Sequence, residues 1–404
     1  MGRRTFSVSG RLVAVLIVVV GIGSLWHCVP RLSALAFIVR VAKHEGVLAR
    51  LARLSAGEVR RDPAIGVLTR HGRVPARLYS PAGPARRTTL LVPGVHMDGI
   101  DEGRLIGLAT ELAASGLQVL TVAPPALTEY RVTTETVDQL EDVVAWAAGQ
   151  PTLAPDGKIG ITAFSFSGAL ALVAAGRPAI RDRIAFAFSF GGYADLPRVL
   201  RYLCGATGDP LPASEKLRAL VTGGERIHVP KPNEYGAVVA LLNLGDHLVP
   251  PAQFPALQQA ITEFLRASST DRLDHARAQL AYGRARALGE QMPEPSRTLL
   301  GFVNTRQVDK LGEALQPILS GLELPAELSP GRSPAPTAPV FLLHGADDSV
   351  VPASELVWLA VYLQGKTDVR TFASRLVSHA EVNRGAALSE IWQLSDFWRD
   401  LMAR

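Results

Sequence analysis

The sequence predicts an α/β fold: a mostly parallel sheet with helices on both faces and a helical insertion. Three observations predict it. Short apolar runs of strand length alternate with helix-length segments from residue 66 to 192, and the alternation returns from 340 to 403. Between them, residues 196 to about 324 lose the strand pattern and read as helical. Finally, Ala163-Phe164-Ser165-Phe166-Ser167-Gly168, then Gly345-Ala346-Asp347-Asp348, then Ser378-His379 each follow an apolar, strand-like run. Strands alternating with helices imply parallel pairing covered on both faces. Reactive groups in such sheets gather beyond the carboxyl ends of the strands.

Each element has its own signal. Gly66 to Tyr79 reads as two strands around a His71-Gly72 turn. Thr88 to Pro93 is a buried strand ending at Gly94. Arg104 to Ala114 is an amphipathic helix stopped by Ser115-Gly116. Leu117 to Val122 is a strand closed by Pro124-Pro125, and Val137 to Ala148 a helix. Lys158 to Ala163 is a strand, Gly168 to Ala175 a helix, and Arg183 to Phe190 a strand. In the insertion, Ala237 to Leu244, Phe254 to Ala267 and Leu273 to Leu288 are the clearest helices. A Pro-rich stretch from Leu324 to Pro339 leads out. Strand Val340 to His344, helix Ser354 to Leu363, strand Val369 to Ala373 and helix Ala386 to Ala403 close the chain. The expected organisation is an N-terminal segment 1–61, a first core part 62–195, a helical cap with its return linker 196–338, and a second core part 339–404.

Composition bounds the partners. With 48% hydrophobic and 20% charged residues over 404 positions, the chain is not disordered. The net charge of +5 is unevenly placed: residues 1–61 hold ten Lys or Arg and two acids, and the remainder 32 basic and 35 acidic residues. A nucleic-acid enzyme carries its positive charge on the working domain, so nucleic acid is not an expected partner. Cys28 and Cys204 give neither a disulfide framework nor metal-ligand spacing.

Residues 12–30 are nearly all apolar, preceded by Arg3, Arg4 and Arg11. The run is about long enough to span a bilayer. A retained transmembrane anchor is favoured over a cleaved signal peptide, because Arg31 separates the run from the A-x-A-like site Ala34-Leu35-Ala36. The lipid bilayer is therefore an expected partner, with a single-pass N-terminal anchor and the body on the extracytoplasmic side. Leu32, Leu35, Ile38, Val41, Leu48, Leu51 and Leu54 follow at near-helical spacing among Arg40, Lys43, Arg50 and Arg53. This basic amphipathic stretch suits either a membrane interface or packing on the body.

The chemistry lies in the three segments. A hydroxyl is a poor nucleophile at neutral pH. It needs a base within hydrogen-bond reach, and the base needs a carboxylate to fix its tautomer. Ser165 is the nucleophile candidate. Ser167 is a rival that falls in the first helical turn, facing away. Asp347 and Asp348 are the acid candidates, with Asp195 a weaker one. His379, 31 positions after Asp348, is the base candidate. His344 reads as a packed strand-end residue, His71 as part of a turn and His27 as a buried neutral histidine. His228, His247 and His275 fall in the insertion, where each is a candidate substrate contact.

The order Ser, Asp, His resembles that of the α/β-hydrolases. The resemblance spans roughly residues 64–404 and runs to the carboxylesterase and dienelactone-hydrolase branches. The family's Gly-x-Ser-x-Gly elbow stands here with Ala163 and Ser167 in place of both glycines, while Gly168 follows. The resemblance implies Ser165 as nucleophile, Asp348 as the acid three places after Gly345, and His379 as base. It implies oxyanion amides at Phe166 and, from the loop Pro93-Gly94-Val95-His96, at Val95, with Pro93 where the family has His. It implies a lid-like cap and no cofactor. Asp98, Asp101 and Glu102 complete no metal cluster and read as charges at a helix N-terminus.

The expected activity is a serine hydrolase cleaving a carboxylic ester, or a related lactone or thioester, of a small, apolar substrate through an acyl-enzyme. The alternative is a non-catalytic, membrane-bound binding protein on the same fold. A weaker third reading is a subunit of a larger membrane complex.

Overall fold

The computed structural model describes residues 29–42, 47–205, 214–223, 227–271, 274–375 and 388–404. The chain divides into two compact units. One takes the N-terminal residues to Ala56 with Ala387–Arg404, the other Gly57–Ala386.

In chain order the first unit begins with helices α1 (29–41) and α2 (Val47–Leu54). The second unit opens with β1 (Val59–Arg61), β2 (Ile65–Thr69), β3 (Gly72–Pro81) and β4 (Thr88–Val92). Then come α3 (Gly103–Ala114), β5 (Gln118–Val122), α4 (Pro125–Thr128), α5 (Thr134–Ala148), β6 (Ile159–Phe164), α6 (Phe166–Gly176) and β7 (Ile184–Phe190). The insertion holds α7 (Leu196–Leu203), α8 (Glu215–Arg218), α9 (Glu234–Leu244), α10 (Phe254–Thr270), α11 (His275–Glu290), α12 (Ser296–Asn304) and α13 (Val308–Gly321). β8 (Val340–Gly345), α14 (Ser354–Leu363) and β9 (Val369–Ser374) complete the second unit, and α15 (Leu388–Met402) returns to the first.

The sheet runs β1-β3-β5-β4-β6-β7-β8-β9, with β2 also paired to β3. β4 through β9 are parallel, and β1 to β3 form the antiparallel end. Every residue of β4 is buried, as are all but one of β6. A strand buried at consecutive positions needs cover on both of its faces. α3 packs on β3 and β5, α5 and α6 on β6, and α6 and α14 on β7, β8 and β9. The mostly parallel sheet with helices packed against it is the α/β arrangement the sequence predicts. The strand β1, which pairs Val59–Arg61 with Tyr79–Pro81, carries too few residues to show a period.

Register aligns the carboxyl ends. Phe164 pairs with Phe190, Phe190 with Leu343 and Leu343 with Phe372. The chain therefore leaves β6, β7, β8 and β9 at one level. The insertion meets the loops of that edge. Asn243 donates to Tyr130 O after β5 (2.9 Å), and Asn233 N donates to Ser349 O after β8 (2.8 Å). Ala373 N donates to Thr222 O (2.9 Å), which shields the open side of β9. α11 starts at His275, capped by the Asp274 carboxylate, slightly later than the hydropathy pattern suggests.

The first unit has its own core. Phe37 stacks edge-on against Trp398 at 4.7 Å, and Arg31 binds Asp396 at 2.8 Å. The apolar run 12–30 lies outside the described residues up to position 28. Among the described residues no helix is long and apolar enough to cross a membrane. The expected transmembrane helix, bilayer partner and single-pass location thus have no support in the structure.

Candidate active site

Ser165 joins β6 to α6 with φ +57° and ψ −136°. Such a backbone costs a non-glycine residue about 1–3 kcal/mol and persists only where the surroundings hold it. Here Ser165 N donates to Phe190 O at 2.7 Å, and Gly168 N to Ser165 O at 2.9 Å. The Ser167 hydroxyl donates to Phe164 O (2.7 Å) and accepts from Phe164 N (3.3 Å). Ser167 is fully buried and stitches the turn from inside, so its hydroxyl is not the exposed one. A β-carbon on Gly168 would lie 2.5 Å from Ser189 Oγ, so this glycine lets α6 press against the end of β7. That accounts for an elbow in which Ala163 and Ser167 replace glycines while Gly168 is kept.

The loop after β4 meets the same serine. A β-carbon on Gly94 would stand 3.2 Å from Ser165 Cβ and 3.8 Å from its Oγ. The next amide, Val95 N, has no acceptor among the described residues, whereas His96 N is spent on Leu127 O at 3.1 Å. Phe166 N is the first amide of α6 and likewise has no acceptor among the described residues. Helix N-termini present such unpaired N–H groups together with the positive end of the macrodipole. His96 turns back on its own loop, with Nδ1 3.3 Å from Asp98 N. Burial holds the imidazole below its ordinary pKa, against the pull of Glu102 and Asp98. Glu102 caps α3 by accepting from Leu105 N at 2.7 Å, and Asp101 binds Arg77 at 2.7 Å.

The two adjacent aspartates after β8 differ sharply. Asp347 is exposed and pairs with His228 Nδ1 at 2.6 Å. Asp348 is 1% exposed, and its Oδ1 accepts from Val350 N (2.8 Å) and Val351 N (3.0 Å). Two backbone donors fix the carboxylate in its turn. Asp195, the other candidate, is taken up by Arg332 at 3.1 Å, with Ser329 Oγ at 3.5 Å. His379 lies outside the described residues. The chain leaves β9 at Ser374, level with Gly345.

Two residues near Asp348 carry no motif in the sequence that marks them. His344 is buried, with Nε2 2.8 Å from Val351 O and 3.5 Å from Asp348 Oδ2. A carbonyl acceptor requires that Nε2 carry the proton. Tyr202, from α7, donates to Pro230 O (3.0 Å) and to Ser349 O (3.4 Å). Burial, and then the Asp348 charge, push the Tyr202 hydroxyl well above its ordinary pKa. Only the expectation that His344 packs at a strand end points toward this pair. Cys204 is buried, which pushes its thiol up to about 12, and Cys28 lies outside the described residues.

No protein-family model matches the chain, and no curated protein matches it. Solved structures do resemble it. An esterase of Pyrobaculum calidifontis is 16% identical with a TM-score of 0.43, over 88% of this chain and 90% of its own. Brefeldin A esterase, a bacterial homologue of human hormone-sensitive lipase, is 12% identical with a TM-score of 0.42, over 92% and 83%. A Klebsiella pneumoniae protein provisionally named a dienelactone hydrolase is 12% identical with a TM-score of 0.41, over 86% and 98%. Identities this low assign no role to any residue here.

Proposed function

We propose that the chain is a serine hydrolase acting on a carboxylic ester, or a related lactone or thioester, of a small molecule. The observation that carries the reading is the Ser165 turn. A strained, non-glycine backbone is kept where a strand feeds a helix, with two amides beside it that have no acceptor among the described residues. In this reading Ser165 Oγ attacks the acyl carbonyl while His379 takes its proton. The tetrahedral oxyanion forms against the Phe166 and Val95 amides. Collapse expels the alcohol, which leaves with the proton from His379. Water then adds to the acyl-enzyme by the same route and frees the acid and Ser165. Asp348 orients His379 and offsets its charge, and its fixed position in the Val350–Val351 turn suits that task.

The inserted helices act as a cap in this reading, and their contacts with the loops after β5 and β8 support it. An apolar acyl group next to the reacting carbon is part of this reading. Anchorage through residues 12–30 rests on the sequence alone. It predicts a chain that pellets with membranes and is freed by deletion of residues 1–55. A mature N-terminus at Phe37 would sink it.

Fluorophosphonate labelling of the purified protein, beside Ser165→Ala, tests the activity, together with hydrolysis of short and long p-nitrophenyl esters. The expected result is labelling and turnover that vanish in Ser165→Ala. A folded wild type that neither labels nor turns over overturns the reading in favour of a non-catalytic binding protein.

A further inference from the structure

Glu263, at the middle of α10, meets Arg284, in the second half of α11, at 3.2 Å, while Thr270 at the end of α10 and Arg277 near the start of α11 line one cavity, so the two helices run antiparallel. A cavity of about 210 Å³ lies between them. Glu263, Arg266 and Thr270 line it from α10, and Arg277, Ala281 and Arg284 from α11, each set at helical spacing. Met97, from the loop after β4, completes the wall, and Ser269 Oγ sits 3.8 Å from its sulfur.

The charges do not balance. Three guanidiniums face one carboxylate. Glu263 serves both Arg266 (3.3 Å) and Arg284. The Arg277 guanidinium has neither ion pair nor hydrogen bond among the described residues. Ala281, between Arg277 and Arg284 on the same face, leaves room where a longer side chain would fill the groove. A planar guanidinium matches the two oxygens of a carboxylate. The groove also shares a loop with the site. Met97 stands two residues after Val95, a span of at most about 7 Å.

We infer that this groove binds a carboxylate at the far end of the ester substrate. The substrate class is then a carboxylate-terminated ester whose acyl chain is apolar near the reacting carbon. The inference rests on the hydrolase reading for its purpose, while binding of the anion is independent of turnover.

Two p-nitrophenyl esters of equal chain length test it, the glutarate half-ester and the valerate, in wild type, Arg277→Ala, Arg277→Lys and Arg286→Ala. Calorimetric titration with glutarate accompanies them. At low salt, kcat/KM for the half-ester exceeds that for valerate by about tenfold, the order of one charge-assisted contact. That ratio falls toward one in Arg277→Ala, recovers partly in Arg277→Lys and persists in Arg286→Ala, which removes an equal charge from outside the groove. Glutarate binding is lost in Arg277→Ala and weakens with salt. Turnover of both esters at equal efficiency, with no glutarate binding, overturns the inference and leaves the hydrolase intact. Glutarate binding that needs Arg277, in a protein that hydrolyses neither ester, upholds the anion site and overturns the hydrolase. Absence of both overturns both.

Discussion

Gly94 and Ser165 approach so closely that a β-carbon on the glycine would stand 3.2 Å from the serine Cβ. The contact is tighter than ordinary van der Waals packing, and the serine backbone is pinned by Phe190 O. The loop must therefore give way in Gly94→Ala, which carries the Val95 amide out of line. A single oxyanion donor is worth about 10²–10³ in kcat, so a partial displacement is expected to lower kcat by about 10- to 100-fold. Steady-state kinetics with an unchanged melting temperature would confirm this. An unchanged kcat would remove Val95 from the oxyanion site.

The strain at Ser165 makes a second, opposite prediction. Glycine adopts φ +57° without penalty. Ser165→Gly is expected to abolish turnover yet raise stability by about 1 kcal/mol, the lower end of such strain. Urea denaturation of the two proteins reads it, and a destabilised Ser165→Gly would argue that the turn is not under strain.

The neighbouring aspartates separate cleanly. Asp348→Asn is expected to lower kcat by about 10³- to 10⁴-fold, as for an acid that orients a catalytic histidine. Asp347→Asn removes an exposed partner of His228 and is expected to change kcat less than about twofold. The reverse ranking would transfer the acid role to Asp347.

His344 acts through the Asp348 turn. His344→Ala leaves Val351 O without its donor in a buried place and is expected to cost about 1–3 kcal/mol of stability. It also lowers kcat with little change in KM, because the acid loosens while the pocket stays. Gln reaches a similar donor position, so His344→Gln should restore part of kcat. Equal stability loss in both variants with untouched kcat would make the residue structural only.

A cluster of carboxylates on α5 contributes to the acid limb of stability. Burial works against the Asp138 and Asp142 carboxylates. Arg177 and His71 hold Asp138, and Arg70 holds Asp142, below the ordinary carboxylate range. A folded-state value below the unfolded one means stability that is complete above the ordinary range and lost as pH falls through the depressed values. Melting temperature should therefore drop steeply below about pH 4, and the drop should be shallower in Arg177→Met. A parallel decline in wild type and variant would count against the cluster.

Much of this was legible because periodicity and punctuation coincide. Thr88–Val92 and Ile159–Phe164 are apolar runs too short for helices, and Ser115-Gly116 marks the end of α3 where the helix stops. Ser165 stands out because it directly follows a strand and opens a helix, and Asp348 because it lies three places after the glycine that ends β8. His344 and Tyr202 do not, since their roles come from contacts between distant parts of the chain. Tyr202 reaches Ser349 from another element, a pairing that no local pattern encodes. The Arg-lined groove was hidden for the same reason. Arg266 and Arg277 read as ordinary solvated charges until two helices place them on one cavity.

The insertion between β7 and β8 also bears on how the protein is made. β7 ends at Phe190, and its partner β8 begins only at Val340. While the chain emerges from the ribosome, β7 is an open edge with unpaired backbone groups, and the whole insertion, with seven α-helices among its described residues, must be synthesised before it is closed. An apolar open edge is a template for wrong pairing. Truncation before Val340 should give a protein that aggregates rather than a smaller stable one, and the nascent chain should depend on holding factors until its last strands arrive.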